Sequence, residues 1–357
     1  DVNPMSADEP PPSRRPSLRH VTTVVLNDER RRQNLYVVLF AVIVLGVFPL
    51  TLDVFHLNLV GKYLTYAFVS LGRVLCWGYG GILSLGQGIF FGAGSYALGI
   101  ALTRTSLSMP LTLLLAMLVG ALVAAAVGWL SIRQKGVYFV MLTLALAQMF
   151  YFLAYSLPDW TGGDNGLLNI PTLPLTAFGH TLLPNKTSWE YYSFVAIIFL
   201  IVFYLLQRIV ESIFGRTLLA IRDNPARATA IGYNIRLFKL VAFMVSGATT
   251  ALAGALYAMM TGIAPLTSIN YHISETILVI TVLGGTGHLF ASVLGAALYG
   301  IASDWLSNLW PRWLLLFGLL LMVVSLYLQG GLWGLCELVF KRVRGNQTGD
   351  PAKERKP

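Results

Sequence analysis

The sequence predicts an all-α polytopic membrane protein of about ten transmembrane helices, some short or broken, with both termini cytoplasmic. Three observations predict it. Of 357 residues, 56% are apolar and only 11% charged, against roughly a quarter charged in soluble domains. The apolar residues fall in runs approaching the roughly 20 residues that one helix needs to cross a bilayer. Most of the 25 Lys and Arg gather in four clusters: residues before Leu35, Arg133 with Lys135, Arg208 to Lys239, and Lys341 to Lys356. The positive-inside rule assigns all four clusters to the cytoplasm.

Residues 1–34 read as a disordered, basic cytoplasmic arm rich in Pro, Ser and Arg. The transmembrane domain is expected over 35–339, with a basic cytoplasmic tail at 340–357. Clear spans are Leu35 to Leu52, Tyr63 to Leu83, Pro110 to Ile132, Tyr138 to Leu157, Tyr191 to Ile209, Leu240 to Ile263 and Trp313 to Leu328. These alone cannot bring every basic cluster back to one side. The Gly-rich run Leu85 to Leu102 must therefore cross as well, and Ser274 to Leu309 must cross an even number of times. Within that stretch, Gly284, Gly285 and Gly287 separate Thr276–Leu283 from Leu289–Ile301, which reads as two short or broken helices. Broken helices at membrane depth are tolerated only against protein or a water-filled cavity. A re-entrant loop there would reduce the count to eight.

Small residues recur every fourth position in Ser84, Gly88, Gly92; Gly120, Ala124, Gly128; Gly247, Ala251, Ala255; and Ser292, Ala296, Gly300. Each series is a smooth stripe for close helix packing. Arg73 lies in the middle of an apolar run, where an unpaired charge costs a few kcal/mol or more. It is expected to face the bundle interior, pairing with Glu275 or Asp304 or contacting a substrate carboxylate, or else to snorkel to the cytoplasmic edge. With Ser84, Gln87, Gly284 and Gly285, next to the expected helix breaks, it is a candidate to line a polar path through the bundle.

Two loops carry further signals. In Phe214 to Lys239, Asn224 suits an N-cap, Pro225 the first helical position, and Gly232 the left-handed residue that ends a helix. A helix of about two turns between them, with Ala226, Ala228 and Ala230 and the charged Arg222, Asp223 and Arg227 around it, suits an element that docks into a partner. In the outer loop 158–190, Thr161, Gly162, Gly163, Asp164, Asn165 and Gly166 form a turn-rich stretch, read either as a docking or gating element or as a plain connecting loop.

Several classes are excluded. The sequence holds no GxxxxGK[ST] phosphate loop, so any ATP is used by partner subunits and no cofactor is expected on this chain. The scattered histidines and the distant Cys76 and Cys336 give no metal-ligand spacing. No GxSxG or paired-carboxylate constellation lies in the spans, so no enzyme activity is expected. The basic clusters are interleaved with acids and split among four segments, which argues against a nucleic-acid partner.

Five segments, Trp77 to Ala97, Gly136 to Met149, Thr161 to Leu167, Phe214 to Ala258 and Ser274 to Gly285, resemble one family in order and spacing. It is the second of the two dissimilar permease subunits of bacterial high-affinity branched-chain amino-acid ABC transporters. The resemblance implies an importer of branched-chain or other hydrophobic amino acids in the bacterial inner membrane. Its partners would be a second permease, two cytoplasmic ATPases and a periplasmic binding protein, with residues Arg222 to Gly232 as the ATPase-coupling helix. Related permeases carry urea or short amides, an alternative substrate class that the run Trp77 to Gly86 suits equally. An ion-coupled secondary transporter is a further alternative, but the spans offer few titratable groups beyond Glu275 and Asp304.

Overall fold

The computed structural model describes residues 54–105, 107–171, 175–177, 180–183, 188–327 and 330–334. The expected N-terminal arm, the first span Leu35–Leu52 and the basic tail lie outside the described residues. Those described form a helical bundle with one short hairpin. In order they are α1 (Val54–Val74), a π-helical turn (Leu75–Tyr79), α2 (Gln87–Arg104), α3 (Met109–Ser131), α4 (Val137–Tyr155) and the single-turn α5 (Pro158–Thr161). The antiparallel pair β1 (Leu175–Ala177) and β2 (His180–Leu183) follows, then α6 (Ser188–Glu211), α7 (Ile213–Asp223), α8 (Pro225–Ala230) and α9 (Ile235–Thr261). The chain closes with α10 (Tyr271–Gly284), α11 (Leu289–Leu309) and α12 (Trp313–Tyr327).

Six of these helices are long and apolar enough to cross a membrane: Phe55–Tyr79, Met109–Ser131, Val137–Tyr155, Trp189–Glu211, Ile235–Thr261 and Leu289–Leu309. α10 and α12 are shorter apolar helices. Two boundaries differ from the sequence expectation. The second span starts at Val54 rather than Tyr63, because His56, Asn58 and Lys62 interrupt the apolar run without interrupting the helix. Of the two segments flanking the glycine turn, only α10 is short. α11 continues past Ile301 to Leu309, since Asp304 is accommodated by a hydrogen bond from Tyr63 on α1.

α9 is the central helix and packs on α1, α2 and α3. Small residues make this possible, because backbones can approach only where no side chain intervenes. A Cβ on Gly94 would overlap the Ala251 carbonyl, and one on Gly120 would overlap the Ala251 side chain. Gly247 faces Ala124, and Gly254 faces the Phe91 carbonyl. The α3 and α9 stripes thus interlock. Gly94 and Gly254 do equal work although they stand outside the four series visible in the sequence. Around this seam, Phe90, Phe139 and Phe243 pack edge to face in one core cluster with Cys76, Ile89 and Val127. The periphery is different: only 28% of the apolar window of α4 is buried, against 72% for the span Phe55–Tyr79. Leu114, Leu118 and Leu122 on α3 and Met141 and Phe152 on α4 point outward, as expected of surfaces facing lipid or another apolar subunit.

Gly94→Val is expected to separate α2 from α9, because overfilling a packed interface costs about 1–3 kcal/mol. Thermal unfolding of the detergent-purified chain should shift down relative to wild type. An unchanged midpoint would contradict this packing.

Candidate functional site

The bundle has two ends, set by the directions of α6 and α9. One carries the α7–α8 segment, and the other carries α5, the hairpin and the α9–α10 connection. Between them lies a buried polar centre around Arg73.

Arg73 ends α1, where the helix widens into the π-helical turn Leu75–Tyr79. Such turns are rare and occur disproportionately at functional sites. The side chain is 1% exposed. Its Nη1 donates to the Ser274 carbonyl of α10 at 3.3 Å, and its guanidinium carbon lies 6.0 Å from the Trp77 ring centroid. The expected ion pair with Glu275 or Asp304 is not formed. Glu275 is 64% exposed and sits 3.5 Å from His272, one residue past Ser274 on a different helix face. Asp304 is taken by Tyr63.

Gln87 opens α2 and is fully buried, its amide donating to Ser246 Oγ at 3.2 Å and accepting from Thr250 Oγ1 at 3.0 Å. Ser84 Oγ accepts from the Gly86 amide. The Gly88 amide, in the first turn of α2, donates to Ser274 Oγ at 2.8 Å, which locks α2 to α10. Thr281 donates to the Ile277 carbonyl, so Ser70, 3.1 Å away, donates to Thr281 and ties α1 to α10. Gly284 packs against the Ala291 backbone, and Gly285, at φ +102, against Gly330. The sequence missed Ser246, Thr250, Ser274 and Thr281; their signal was hydroxyl residues facing one another from runs otherwise apolar.

At the first end, α8 forms as its capping residues dictate. Asn224 Oδ1 accepts from the Arg227 amide at 3.0 Å, Pro225 begins the helix, and Gly232 follows it at φ +96, where a side chain would be strained. Asp223, Asn224, Pro225, Ala226, Arg227, Thr229 and Ala230 are exposed. Ala228 is not: at 4% exposure it packs on its own chain, because it lies on the opposite side of the helix from Ala226 and Ala230. Arg222 is bound inward as well as to Asp223, 3.0 Å away. Its Nη1 donates to the Gly78 carbonyl, and its stem lies against Gly81. One side chain therefore joins the α7–α8 segment to the π-helical turn that follows Arg73.

At the other end, Thr161 through Gly166 fold as a compact cap. Thr161 Oγ1 donates to the Ala154 carbonyl at 2.6 Å and accepts from the Gly163 amide. Gly162 and Gly166 take positive φ, and Gly166 lies against the Ala264 backbone. Leu167 and Ala264 exchange two backbone hydrogen bonds, at 3.0 and 2.8 Å. Arg104 stacks on Trp160 at 4.6 Å and donates to the Asp159 carbonyl. Asp164 and Asn165 remain exposed.

Residues 55–326 match the family model described as "Branched-chain amino acid transport system / permease component". The chain belongs to this permease family. It is 25% identical over 340 residues to the high-affinity branched-chain amino acid transport system permease protein LivM of Escherichia coli K12, covering 90% of this chain and 80% of that one. It is 27% identical to the probable branched-chain amino acid transport permease protein LivH of Methanocaldococcus jannaschii, over 77% of this chain and 90% of the relative. The autoinducer 2 import system permease protein LsrC of Escherichia coli is also 27% identical, over 72% and 75%. No solved structure matches the chain. The permease is thus a multi-pass membrane subunit of the ABC type, and the family consists of transport components that are not themselves catalytic.

Proposed function

We propose that this chain is one of two dissimilar permeases in an ATP-driven importer that carries branched-chain or other hydrophobic amino acids across the bacterial inner membrane. A periplasmic binding protein delivers the substrate, and two cytoplasmic ATPases drive alternating access. ATP is used on those subunits, and this chain binds no cofactor of its own. The observation that carries the reading is α8: a capped, outward-facing helix with no catalytic group, linked by Arg222 to the membrane interior. Such a helix has an evident use in a machine driven by a docked ATPase. It has none in a self-contained, ion-coupled carrier.

In this reading, Arg222, Asp223, Asn224, Pro225, Ala226, Arg227, Ala228 and Gly232 form the coupling element, with Ala228 seating the helix and Ala226 contacting the ATPase. The cap from Thr161 to Gly166 faces the binding protein. Arg73, Ser84, Gln87, Gly284 and Gly285 border the path. The long helices, together with α2, α10, α12 and the apolar run Leu35–Leu52, account for about ten crossings with both termini cytoplasmic. Mass spectrometry of the complex recovered from gently solubilised native membranes tests the assembly. The expected result is two P-loop ATPases and a second permease. Recovery of the chain alone, still active in uptake, would overturn the reading.

A further inference from the structure

The centre around Arg73 holds a buried positive charge. A buried arginine is normally paired or sited on a transport path. Here the side chain is 1% exposed and forms no ion pair among the described residues. Among the described residues, its Nε and Nη2 are buried without a hydrogen-bond partner. The vacant donors are not arbitrary. Nε and Nη2 form the side edge of the guanidinium, one of the two edges that grip a carboxylate with two parallel hydrogen bonds. The single bond made, from Nη1 to Ser274, leaves that edge whole.

The surroundings add to the same sign. Ser274 lies in the first turn of α10, and its hydroxyl accepts from Gly88 in the first turn of α2. Two helix N-termini, each with the equivalent of about half a positive charge, therefore meet beside the guanidinium. Among the described residues no acidic side chain pairs with it: Glu275 and Asp304 are engaged elsewhere. The site is closed here, and it lies on the α1–α2–α10 junction, next to the π-helical turn that Arg222 holds.

We propose that Arg73 is a carboxylate-binding group of the transport path: Nε and Nη2 take the α-carboxylate of the amino acid when α10 moves off α1 and α2. The proposal rests on the amino-acid importer reading and deepens it, since urea or a neutral amide has no anionic oxygen pair to offer that edge.

The test uses the complete transporter with wild type, Arg73→Gln and Arg73→Lys. Binding-protein-stimulated ATP hydrolysis reports assembly, and uptake of labelled leucine into proteoliposomes reports transport. Arg73→Gln should assemble yet lower uptake at least tenfold, with Arg73→Lys between it and wild type. If either variant fails to assemble, thermal unfolding of the wild-type permease–ATPase complex decides, at constant ionic strength with L-leucine, leucinamide, acetate or chloride. L-leucine and acetate should raise the midpoint where leucinamide does not. Uptake by Arg73→Gln within twofold of wild type, or equal shifts from leucine and leucinamide, overturns the proposal. Equal shifts from acetate and chloride would mean a site for any small anion and overturn the substrate contact. If the wild-type transporter carries no leucine, the importer reading fails on its own, and the acetate shift still reports whether Arg73 binds a carboxylate.

Discussion

Ala226→Glu strips the ATPases from the permease while leaving the membrane bundle intact. Ala226, Thr229 and Ala230 share the exposed side of α8, and their small side chains allow a groove to close on the helix backbone. A glutamate there separates the surfaces and buries a charge without a partner. Loss of a central anchor of this kind costs on the order of 2 kcal/mol or more, which is about 30-fold in affinity. Binding of purified ATPase subunits to the detergent-solubilised permease measures it directly. Ala228→Glu is the control, because Ala228 packs inward: it should lower the unfolding temperature of the permease itself. If Ala226→Glu binds the ATPases as tightly as wild type, α8 does not dock them.

Arg222→Ala should produce the second large effect, uncoupling rather than disassembly. The side chain is the tether from α7 to the π-helical turn, through the Gly78 carbonyl and the face of Gly81. A hydrogen bond from a charged group contributes about 1.5–3 kcal/mol, enough to change the equilibrium between two transporter conformations by about tenfold or more. The ATPases still dock on α8 and hydrolyse ATP, but their motion reaches α1 weakly. The ratio of ATP hydrolysed to substrate carried should rise several-fold, with ATPase binding near wild type. A ratio equal to wild type would remove Arg222 from the coupling route.

How much of this was legible depended on whether the signal was local. The α8 helix was readable residue by residue, because Asn224, Pro225 and Gly232 act on the backbone within a few positions of themselves. The turn at Gly284 and Gly285 and the small-residue stripes were readable for the same reason. What the sequence concealed was pairing between distant segments. Arg73 invited an acidic partner, Glu275 or Asp304. One position along α10 turns the Glu275 carboxylate away, so Arg73 meets the Ser274 carbonyl instead. Ala228 looked equivalent to Ala226 and Ala230 until helical geometry put it on the inner side. The π-helical turn left no mark, because its residues Leu75 to Tyr79 continue the apolar pattern of α1.

In the proposed importer, ATP hydrolysed on partner subunits drives transport by this permease. The most direct measurement is leucine uptake into proteoliposomes holding the purified complex, with binding protein outside and ATP either inside or absent. An ATP-driven importer accumulates leucine with internal ATP and not without it, unaffected by collapse of the proton and sodium gradients. Accumulation that needs an ion gradient and proceeds without ATP would contradict it.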